Sequence, residues 1–215
     1  MDLFFSPLAC SMSGRIALAE AGAKVNLVEV DPDTKRVLAT GEDYRSVNPL
    51  GYVPALRLDD GTVLTENSAI LQHIADESPE AELAPPASDR IGRAKLRQWL
   101  SFISAELHKG LMTPLLGDQT PPEVKAWTAG KYASRLAYLN EKLAGREFLL
   151  DTFSVADAYL ATVLNWTRTT PEIDLRAYPN VKAYLDRMRA RPTVAAALAT
   201  EIPLFRAEME RRKAA

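Results

Sequence analysis

The pattern of hydrophobic and polar positions divides the chain near residue 79. Before that point, short apolar runs alternate with stretches of helical spacing, in the order strand, helix, strand, helix, strand, strand, helix. The bounds that we can assign are strands over 2–5, 25–30, 53–58 and 62–64, and helices over 11–21 and 67–76. Strands that alternate with helices in this way predict an α/β domain.

Beyond residue 88, nearly every apolar residue recurs at helical spacing. Residues 96–107 and 127–143 each carry an apolar stripe at intervals of three and four, which predicts two amphipathic helices. Ser154 and Asp157 resemble a capping box, and the run that follows them is apolar nearly all round. We therefore expect this run to be the buried central helix of a bundle.

Two further helices, over 178–189 and 193–199, are expected to complete the bundle. The stretch 79–88 is rich in proline and polar residues, which is typical of a linker. The sequence therefore predicts two domains, an α/β domain over 1–78 and an all-helical domain over 89–215.

Charge and cysteine content limit the partners and the compartment. Lys and Arg total 26 and Asp and Glu total 28, so the net charge of -2 favours neither nucleic acid nor an anionic membrane. The basic run over 206–213 is interleaved with acidic residues, which predicts a solvated helical tail. No apolar run approaches the roughly 20 residues that span a bilayer, and the N-terminus lacks the features of a signal peptide. With Cys10 as the single cysteine, we expect a cytoplasmic protein without an internal disulfide.

Cys10 is the first candidate for chemistry, because it follows a predicted strand and opens a predicted helix. The unpaired N–H groups and the positive end of the helix dipole favour a thiolate there. With Ser13 it forms a C-x-x-S arrangement where thioredoxin-like proteins carry C-x-x-C. A disulfide at Cys10 then requires an external thiol, and glutathione is the abundant cytosolic one. The alternative is that Cys10 is a small buried hydrophobic residue.

Val53 and Pro54 are the second candidate. Proline at the start of a strand in this half of the chain is a candidate for a cis peptide bond. The residue before it would then offer its backbone N–H and C=O to a peptide-like ligand. The alternative, which the sequence alone favours, is an ordinary edge-strand proline.

Residues 66–68 are the third candidate, because they lie at the start of a predicted helix. Exposed N–H groups at that end suit a carboxylate, and the side chain of Glu66 suits an ammonium group. Together they suit the two ends of an amino-acid head group. The alternative is simple capping of the helix by Thr65 or Asn67.

His108 is the fourth candidate, because its helix neighbours Ser101, Ser104 and Ala105 are small and predict a groove beside it. The alternative is a half-exposed histidine without a role. We interpret His73 as structural. With two histidines, one cysteine and no metal-ligand spacing, no metal site is expected.

Five strings of residues carry a family resemblance that spans most of the chain. They are LFFSPLACS at 3–11, VNPLGYVPAL at 47–56, LTENSAI at 64–70, ELHKG at 106–110 and FSVADAY at 153–159. With the α/β domain, the linker and the helical domain, they make the chain resemble the cytosolic glutathione S-transferases, in particular the bacterial beta class. The resemblance implies a thioredoxin-like N-terminal domain followed by an all-α helical bundle.

The resemblance also implies a glutathione-binding set. Its members are Cys10, Lys35, Tyr52, Val53, Pro54, Glu66, Asn67, Ser101 and His108. Val53 would bind the tripeptide backbone, with Pro54 cis. Glu66 and Asn67 would hold the γ-glutamyl end, and Lys35 would meet the glycyl carboxylate.

Cys10 and His108 are the catalytic residues that the resemblance implies. Cys10 would contact the glutathione sulfur and form a mixed disulfide with it, and His108 would lie near the thiol. Three positions depart from the family. Phe5 excludes an activating tyrosine, Ser101 replaces a common asparagine, and the loop over 148–153 lacks the usual glycine, so we expect a different loop conformation.

The implied function is a glutathione transferase that conjugates glutathione to small hydrophobic electrophiles, with glutathione as co-substrate. Thiol–disulfide or peroxidase activity through Cys10 is a further expectation, and Leu111, Met112 and Trp166 are expected to line an apolar pocket. Family members are homodimers, so a homodimer is expected. The alternative is a non-catalytic ligand carrier or regulatory interaction partner, against which the intact set of glutathione contacts argues.

Overall fold

The computed structural model describes residues 1–214, and within them it contains four strands and nine α-helices. The strands are β1 (Asp2–Phe5), β2 (Asn26–Glu29), β3 (Ala55–Arg57) and β4 (Val63–Leu64). The helices are α1 (Met12–Glu20), α2 (Asn67–Glu77), α3 (Arg90–Phe102), α4 (Thr113–Leu116), α5 (Pro122–Ala129), α6 (Tyr132–Lys142), α7 (Val155–Asn165), α8 (Pro179–Ala190) and α9 (Pro192–Ala214). A π-helical segment, Ile103–Met112, continues α3 into α4.

The chain divides into two compact units, one made of Met1–Ala81 with α9 and the other of Glu82–Arg191. This division differs from the predicted domains, 1–78 and 89–215, because α9 groups with the N-terminal unit. α9 contacts α1, and its residue Glu201 accepts a hydrogen bond from the N–H of Leu8 at 2.7 Å. These contacts are long-range in sequence, so the local pattern carries no sign of them.

The N-terminal unit is built on a four-stranded sheet in the order β2-β1-β3-β4. β1 pairs in parallel with β2 and antiparallel with β3, and β4 is antiparallel to β3. Leu3 in β1 lies opposite Leu27 and Leu56, and the buried Leu3 and Leu56 fix this register. The parallel pair needs a crossover connection, which α1 supplies. The predicted α/β fold of this half is therefore confirmed.

The helix predicted between β2 and β3 is wrong. That stretch contains only a 3₁₀ turn, Tyr44–Ser46, together with two isolated β-bridges. Pro32 and Pro49 cannot donate to a helix, and Gly41 and Gly51 adopt positive φ values of 73° and 66°. The segment therefore folds as connected turns rather than as a helix.

α7 forms the centre of the helical unit, as its sequence predicts, since every residue from Val155 to Leu164 is buried. Its start is fixed by Asp157, whose carboxylate accepts hydrogen bonds from both the N–H and the hydroxyl of Ser154 at 2.9 Å. The N–H of Leu149 and the hydroxyl of Tyr184 also donate to Asp157, each at 2.9 Å. Burial raises the pKa of this carboxyl, and the four donors oppose that shift. The predicted capping element is confirmed.

Two helix predictions differ from the structure in extent. The helix predicted over 127–143 is broken after Ala129, where Gly130 separates α5 from α6. The last helix does not end at 199 but continues through Pro203 to the end of the described chain. Its basic tail is not simply solvated, because Arg211 and Arg212 pair with Glu29 at 3.2 Å and Asp33 at 2.8 Å.

Candidate active site

Cys10 lies immediately before the first residues of α1 and beside the start of β3. Its thiol donates a hydrogen bond to the carbonyl oxygen of Val53, with Sγ and O 3.3 Å apart. The Val53–Pro54 peptide bond is cis, so the family resemblance was the better guide and the expectation of an ordinary trans proline was wrong. Cys10 is 9% exposed. Its thiol therefore contacts Val53, the residue expected to bind a tripeptide backbone.

The loop that carries Cys10 is held by several polar contacts within the N-terminal unit. The hydroxyl of Ser6 donates to the carbonyl of Val30 at 2.7 Å, and the hydroxyl of Ser11 donates to the carbonyl of Ser6 at 3.2 Å. Leu8 has a left-handed φ of 56°, and its N–H donates to Glu201. A positive φ is unfavourable for a residue other than glycine unless surrounding contacts hold the backbone there. These contacts therefore define the position of the Cys10 thiol.

Ser13 and Asn67 connect the Cys10 loop to the start of α2. The amide nitrogen of Asn67 donates to the hydroxyl oxygen of Ser13 at 2.9 Å, and both side chains are buried. The hydroxyl of Ser13 also donates to the carbonyl of Cys10 at 2.7 Å. The structure therefore joins Asn67 to Cys10 through Ser13, although the two predicted residues are far apart in sequence.

The start of α2 carries no side-chain cap. Glu66 occupies the N-cap position with a φ of 65°, and its side chain makes no capping hydrogen bond. Asn67 is committed to Ser13, so the alternative of capping by that residue is wrong. Within residues 1–214, the buried hydroxyl of Ser68 has no hydrogen-bond partner. An exposed carboxylate, uncapped N–H groups and this hydroxyl together suit an amino-acid head group.

Lys35 and Tyr52 form a second cluster in the same unit. Lys35 has a left-handed φ of 59°, and its ammonium nitrogen lies 5.9 Å from the centre of the Tyr52 ring. The carbonyl of Tyr52 accepts hydrogen bonds from the hydroxyl of Tyr44 at 2.9 Å and from the amide of Asn48 at 2.7 Å. These contacts position the backbone just before Val53, and they leave the exposed Tyr52 ring and the half-buried Lys35 at the surface.

His108 lies in the helical unit and is 7% exposed, so the alternative of a half-exposed histidine is wrong. Its Nδ1 is 2.7 Å from the hydroxyl of Tyr159, and its ring meets that of Trp166 edge-on with centroids 5.0 Å apart. Burial, with a smaller contribution from Lys109, lowers the pKa of His108 to about 4. The histidine is therefore neutral at physiological pH.

The remaining predicted positions fall into the same two units. Ser101 is an exposed residue on α3, and Phe5 is buried at the end of β1. In the loop over 148–153, the rings of Phe148 and Phe153 pack edge-on with centroids 6.0 Å apart. That loop stays tied to α7 through the hydrogen bond from Leu149 to Asp157.

Sequence reasoning missed two residues that organise these sites, Ser13 and Tyr159. Ser13 closes the C-x-x-S string, a pattern that points to a missing second cysteine and not to a contact with the start of α2. Tyr159 was assigned to the buried helix α7, and a buried tyrosine needs a partner for its hydroxyl. That requirement was the available signal that α7 also carries a polar contact.

Cavities and metal-ligating groups add little to these two clusters. A cavity of about 220 Å³ in the helical unit is lined by Leu111, Trp127, Lys131 and Arg135 among others. Of the residues expected to line an apolar pocket, Leu111 therefore borders this cavity, and both Leu111 and Met112 are buried. The part of the chain that the structure describes contains no group of three or more His, Cys, Asp and Glu able to hold a metal ion. It also contains no helix long and apolar enough to cross a membrane.

Comparison with protein families supports the resemblance. Residues 9–77 match the glutathione S-transferase N-terminal domain, and residues 102–192 match the glutathione S-transferase C-terminal domain. Glutathione S-transferase GstA of Escherichia coli O157:H7 is 44% identical over 94% of this chain and 98% of its own. Glutathione S-transferase GST-4.5 of Xanthomonas campestris is 34% identical over 94% of this chain and 98% of its own.

Solved structures agree with the sequence relatives. A sphingomonad glutathione S-transferase complexed with glutathione has a TM-score of 0.88 at 45% identity, covering 94% of this chain and 98% of its own. The bacterial beta class enzyme of Sphingomonas chungbukensis has the same TM-score of 0.88 at 44% identity and the same coverage of both chains. The resemblance to the beta class is thus confirmed, and the chain belongs to the glutathione S-transferase family.

Proposed function

We propose that this protein binds glutathione in its N-terminal unit and transfers the glutathionyl group to small hydrophobic electrophiles. In this reaction the sulfur of glutathione forms a bond to an electrophilic carbon, the leaving group departs with the bonding electron pair, and the thiol proton passes to solvent. The thiolate is the reactive form, so groups that stabilise a negative sulfur accelerate the reaction.

One observation carries this proposal, the convergence of Cys10 on Val53 at a cis proline. An extended peptide can pair with the backbone of Val53 as an added strand would, and its sulfur would then lie toward Cys10. The open start of α2 with Glu66 and Asn67 suits the γ-glutamyl end, and Lys35 suits the glycyl carboxylate. Tyr52 and Pro54 complete the binding surface in this unit, and Ser101 and His108 are proposed contributions of the helical unit.

Cys10 adds a redox branch to the proposal. Its thiolate attacks oxidised glutathione, the Cys10–S–S–glutathione bond forms, and one reduced glutathione leaves. The same mixed disulfide forms when the Cys10 thiolate attacks a hydroperoxide, the alcohol leaves, and glutathione condenses with the resulting sulfenic acid with loss of water. A second glutathione then attacks the mixed disulfide, which releases the Cys10 thiolate and oxidised glutathione. The same site would use two glutathione molecules to reduce a hydroperoxide to an alcohol and water.

A catalytic role is favoured over a non-catalytic carrier. The relatives at 44% and 34% identity are both named as glutathione S-transferases. The sphingomonad neighbour at 45% identity is described as complexed with glutathione. We further propose that the protein acts in detoxification, works in the cytoplasm and assembles as a homodimer.

The replacement Cys10→Ala separates the two branches. Conjugation of glutathione to chlorodinitrobenzene is expected to persist, because Cys10 forms no bond in that reaction, whereas disulfide exchange with oxidised glutathione is expected to vanish. Both rates are measured on wild type and variant under the same conditions. Absence of both activities in the wild-type protein would overturn the proposed function and leave the non-catalytic carrier.

A further inference from the structure

The segment that carries His108 is wound as a π-helix over the ten residues Ile103–Met112. The adjacent residues Leu107 and His108 are both buried in this segment. Gly110 permits this winding, because a Cβ atom there would lie 2.6 Å from the carbonyl oxygen of Ala105. A π-helical turn is uncommon and is frequently found at functional sites.

His108 meets the rest of the helical unit through two aromatic residues. The Nδ1 atom lies 2.7 Å from the Tyr159 hydroxyl, a distance typical of a strong hydrogen bond. The imidazole also stands edge-on to the rings of Tyr159 and Trp166, at interplanar angles of 88° and 66°. The ring plane of His108 is therefore set by two aromatic residues, and Nδ1 is occupied by the Tyr159 contact.

The direction of that hydrogen bond follows from the acidity of the two groups. A phenol is a stronger acid than the N–H of a neutral imidazole, and an imidazole nitrogen is a better acceptor than a phenol oxygen. The stable arrangement therefore has the Tyr159 hydroxyl donating to Nδ1. The remaining ring proton must then be on Nε2.

We propose that Tyr159 is a positioning residue that holds His108 as the Nε2–H tautomer, so that His108 acts as a hydrogen-bond donor and not as a base. A neutral donor of this kind stabilises the negative charge that develops as the bond to the electrophile forms. This inference rests on the proposed function, since it assigns a role to His108 in that reaction. The low pKa of His108 supports it, because an imidazole that stays neutral keeps one fixed donor across the physiological range.

The tautomer of the wild-type protein is the direct test, and it needs no variant. The chain has two histidines, so a nitrogen–proton correlation spectrum of ¹⁵N-histidine protein shows two rings, and His73→Asn assigns them. At neutral pH we expect His108 to show a protonated Nε2 and an unprotonated acceptor Nδ1. A protonated Nδ1 in the wild-type spectrum would overturn the proposal.

Tyr159→Phe then tests whether Tyr159 sets the tautomer. We expect the His108 signals to move toward a mixture of both tautomers. His108 then remains a donor in only part of the molecules, so kcat for conjugation should fall roughly 10-fold, less than if the donor were removed altogether. The KM for glutathione is expected to change less than twofold. Tyr184→Phe is the matched control, because Tyr184 is equally buried but donates to Asp157, and it should leave the His108 tautomer unchanged.

The outcomes separate this proposal from the proposed function. An unchanged His108 tautomer in folded Tyr159→Phe would overturn the positioning role. If His108→Asn conjugates at the wild-type rate, the assigned role of His108 in the reaction fails, whatever the tautomer. If the wild-type protein conjugates nothing, the proposed function fails, whereas the tautomer remains measurable.

Discussion

The amide of Asn67 links the start of α2 to Ser13 and, through it, to the backbone of Cys10. A buried hydrogen bond of this kind contributes about 1 kcal/mol, and breaking it also leaves the Ser13 hydroxyl without one of its contacts. Asn67→Ala should therefore raise the KM for glutathione roughly 10-fold, the equivalent of about 1.4 kcal/mol. Steady-state kinetics with glutathione varied at saturating electrophile measure the effect.

The control for Asn67→Ala is Glu77→Ala, an exposed change at the far end of α2. It should leave the KM for glutathione unaltered. A wild-type KM in Asn67→Ala would show that the link through Ser13 does not contribute to the site.

At the scale of single residues, sequence reasoning located Cys10, Val53 and Asn67 but not their connections. Local pattern identifies a cysteine at a strand–helix junction or a residue at a helix start. It carries no information on Ser13 and Asn67, which meet across 54 positions of sequence. The cis bond at Pro54 was likewise open from residue type alone, and it was the family resemblance that implied it.

Gly110 is the residue that allows the π-helical segment over 103–112. A Cβ atom there would press on the Ala105 carbonyl, so Gly110→Ala should force the segment to shift and move His108 away from Tyr159. We expect kcat for conjugation to fall by about 10-fold or more, since misplacing a donor weakens its effect on the transition state. Steady-state kinetics measure kcat, and the nitrogen–proton spectrum of His108 measures the displacement of its ring.

Gly130→Ala is a suitable comparison, because its added Cβ would meet its nearest neighbour at 3.4 Å, an ordinary contact. It changes a helix end in the same unit and should leave kcat near the wild-type value. Equal activities for Gly110→Ala and wild type would contradict the role of the π-helical winding.

Among the helices and strands, those whose bounds depend on a local sequence pattern could be predicted. The four strands, α1 and α2 have bounds set by alternation and turns, and all are predicted within a few residues. For α7 the capping box predicts the start. The π-helical winding was not predicted, because the apolar stripe over 96–107 fits a regular helix equally well. The long α9 was not predicted either, because Pro203 locally opposes a helix that its packing against the N-terminal unit sustains.

On the scale of the whole molecule, α9 returns the chain to the N-terminal unit and inserts Glu201 there. Glu201 is 0% exposed, accepts a hydrogen bond from Leu8 and lies 3.5 Å from Arg15. Burial raises the pKa of this carboxyl from 4.5 to about 7, and the two donors only partly oppose it. In the folded protein the carboxyl therefore remains protonated to higher pH than in the unfolded chain.

The sign of the stability effect follows from that raised pKa. The contribution of Glu201 to the free energy of unfolding is fully present below about pH 4.5. It is lost as pH rises toward about 7, by up to roughly 3 kcal/mol. Glu201→Gln cannot ionise, so it should remove this part of the pH dependence. Relative to the Tm of wild type, the Tm of Glu201→Gln should therefore be higher at pH 8 than at pH 5.

Thermal unfolding of both proteins over that pH range measures the difference. Glu210→Gln on the exposed side of the same helix is the matched control, and its Tm should track that of wild type at every pH. If the Tm difference for Glu201→Gln stays constant with pH, Glu201 does not carry the proposed proton.

The two-part organisation of the chain could be predicted, because the hydrophobic period changes at the proline-rich stretch. The membership of α9 could not, since a helix with polar and apolar residues in this arrangement fits either unit. The contacts of Glu201, Arg211 and Arg212 decide it, and their partners lie 179 to 193 positions earlier in the chain.

The proposed function requires glutathione to bind beside Cys10 in the folded protein. An intact-mass spectrum after incubation of native protein with oxidised glutathione tests it most directly, because Cys10 is the single cysteine. We expect a gain of one glutathionyl group per chain, reversed by dithiothreitol and absent in Cys10→Ser. A native protein that gains no mass, while the unfolded protein gains one group, would show that Cys10 is buried away from any glutathione site and would rule out this placement of glutathione.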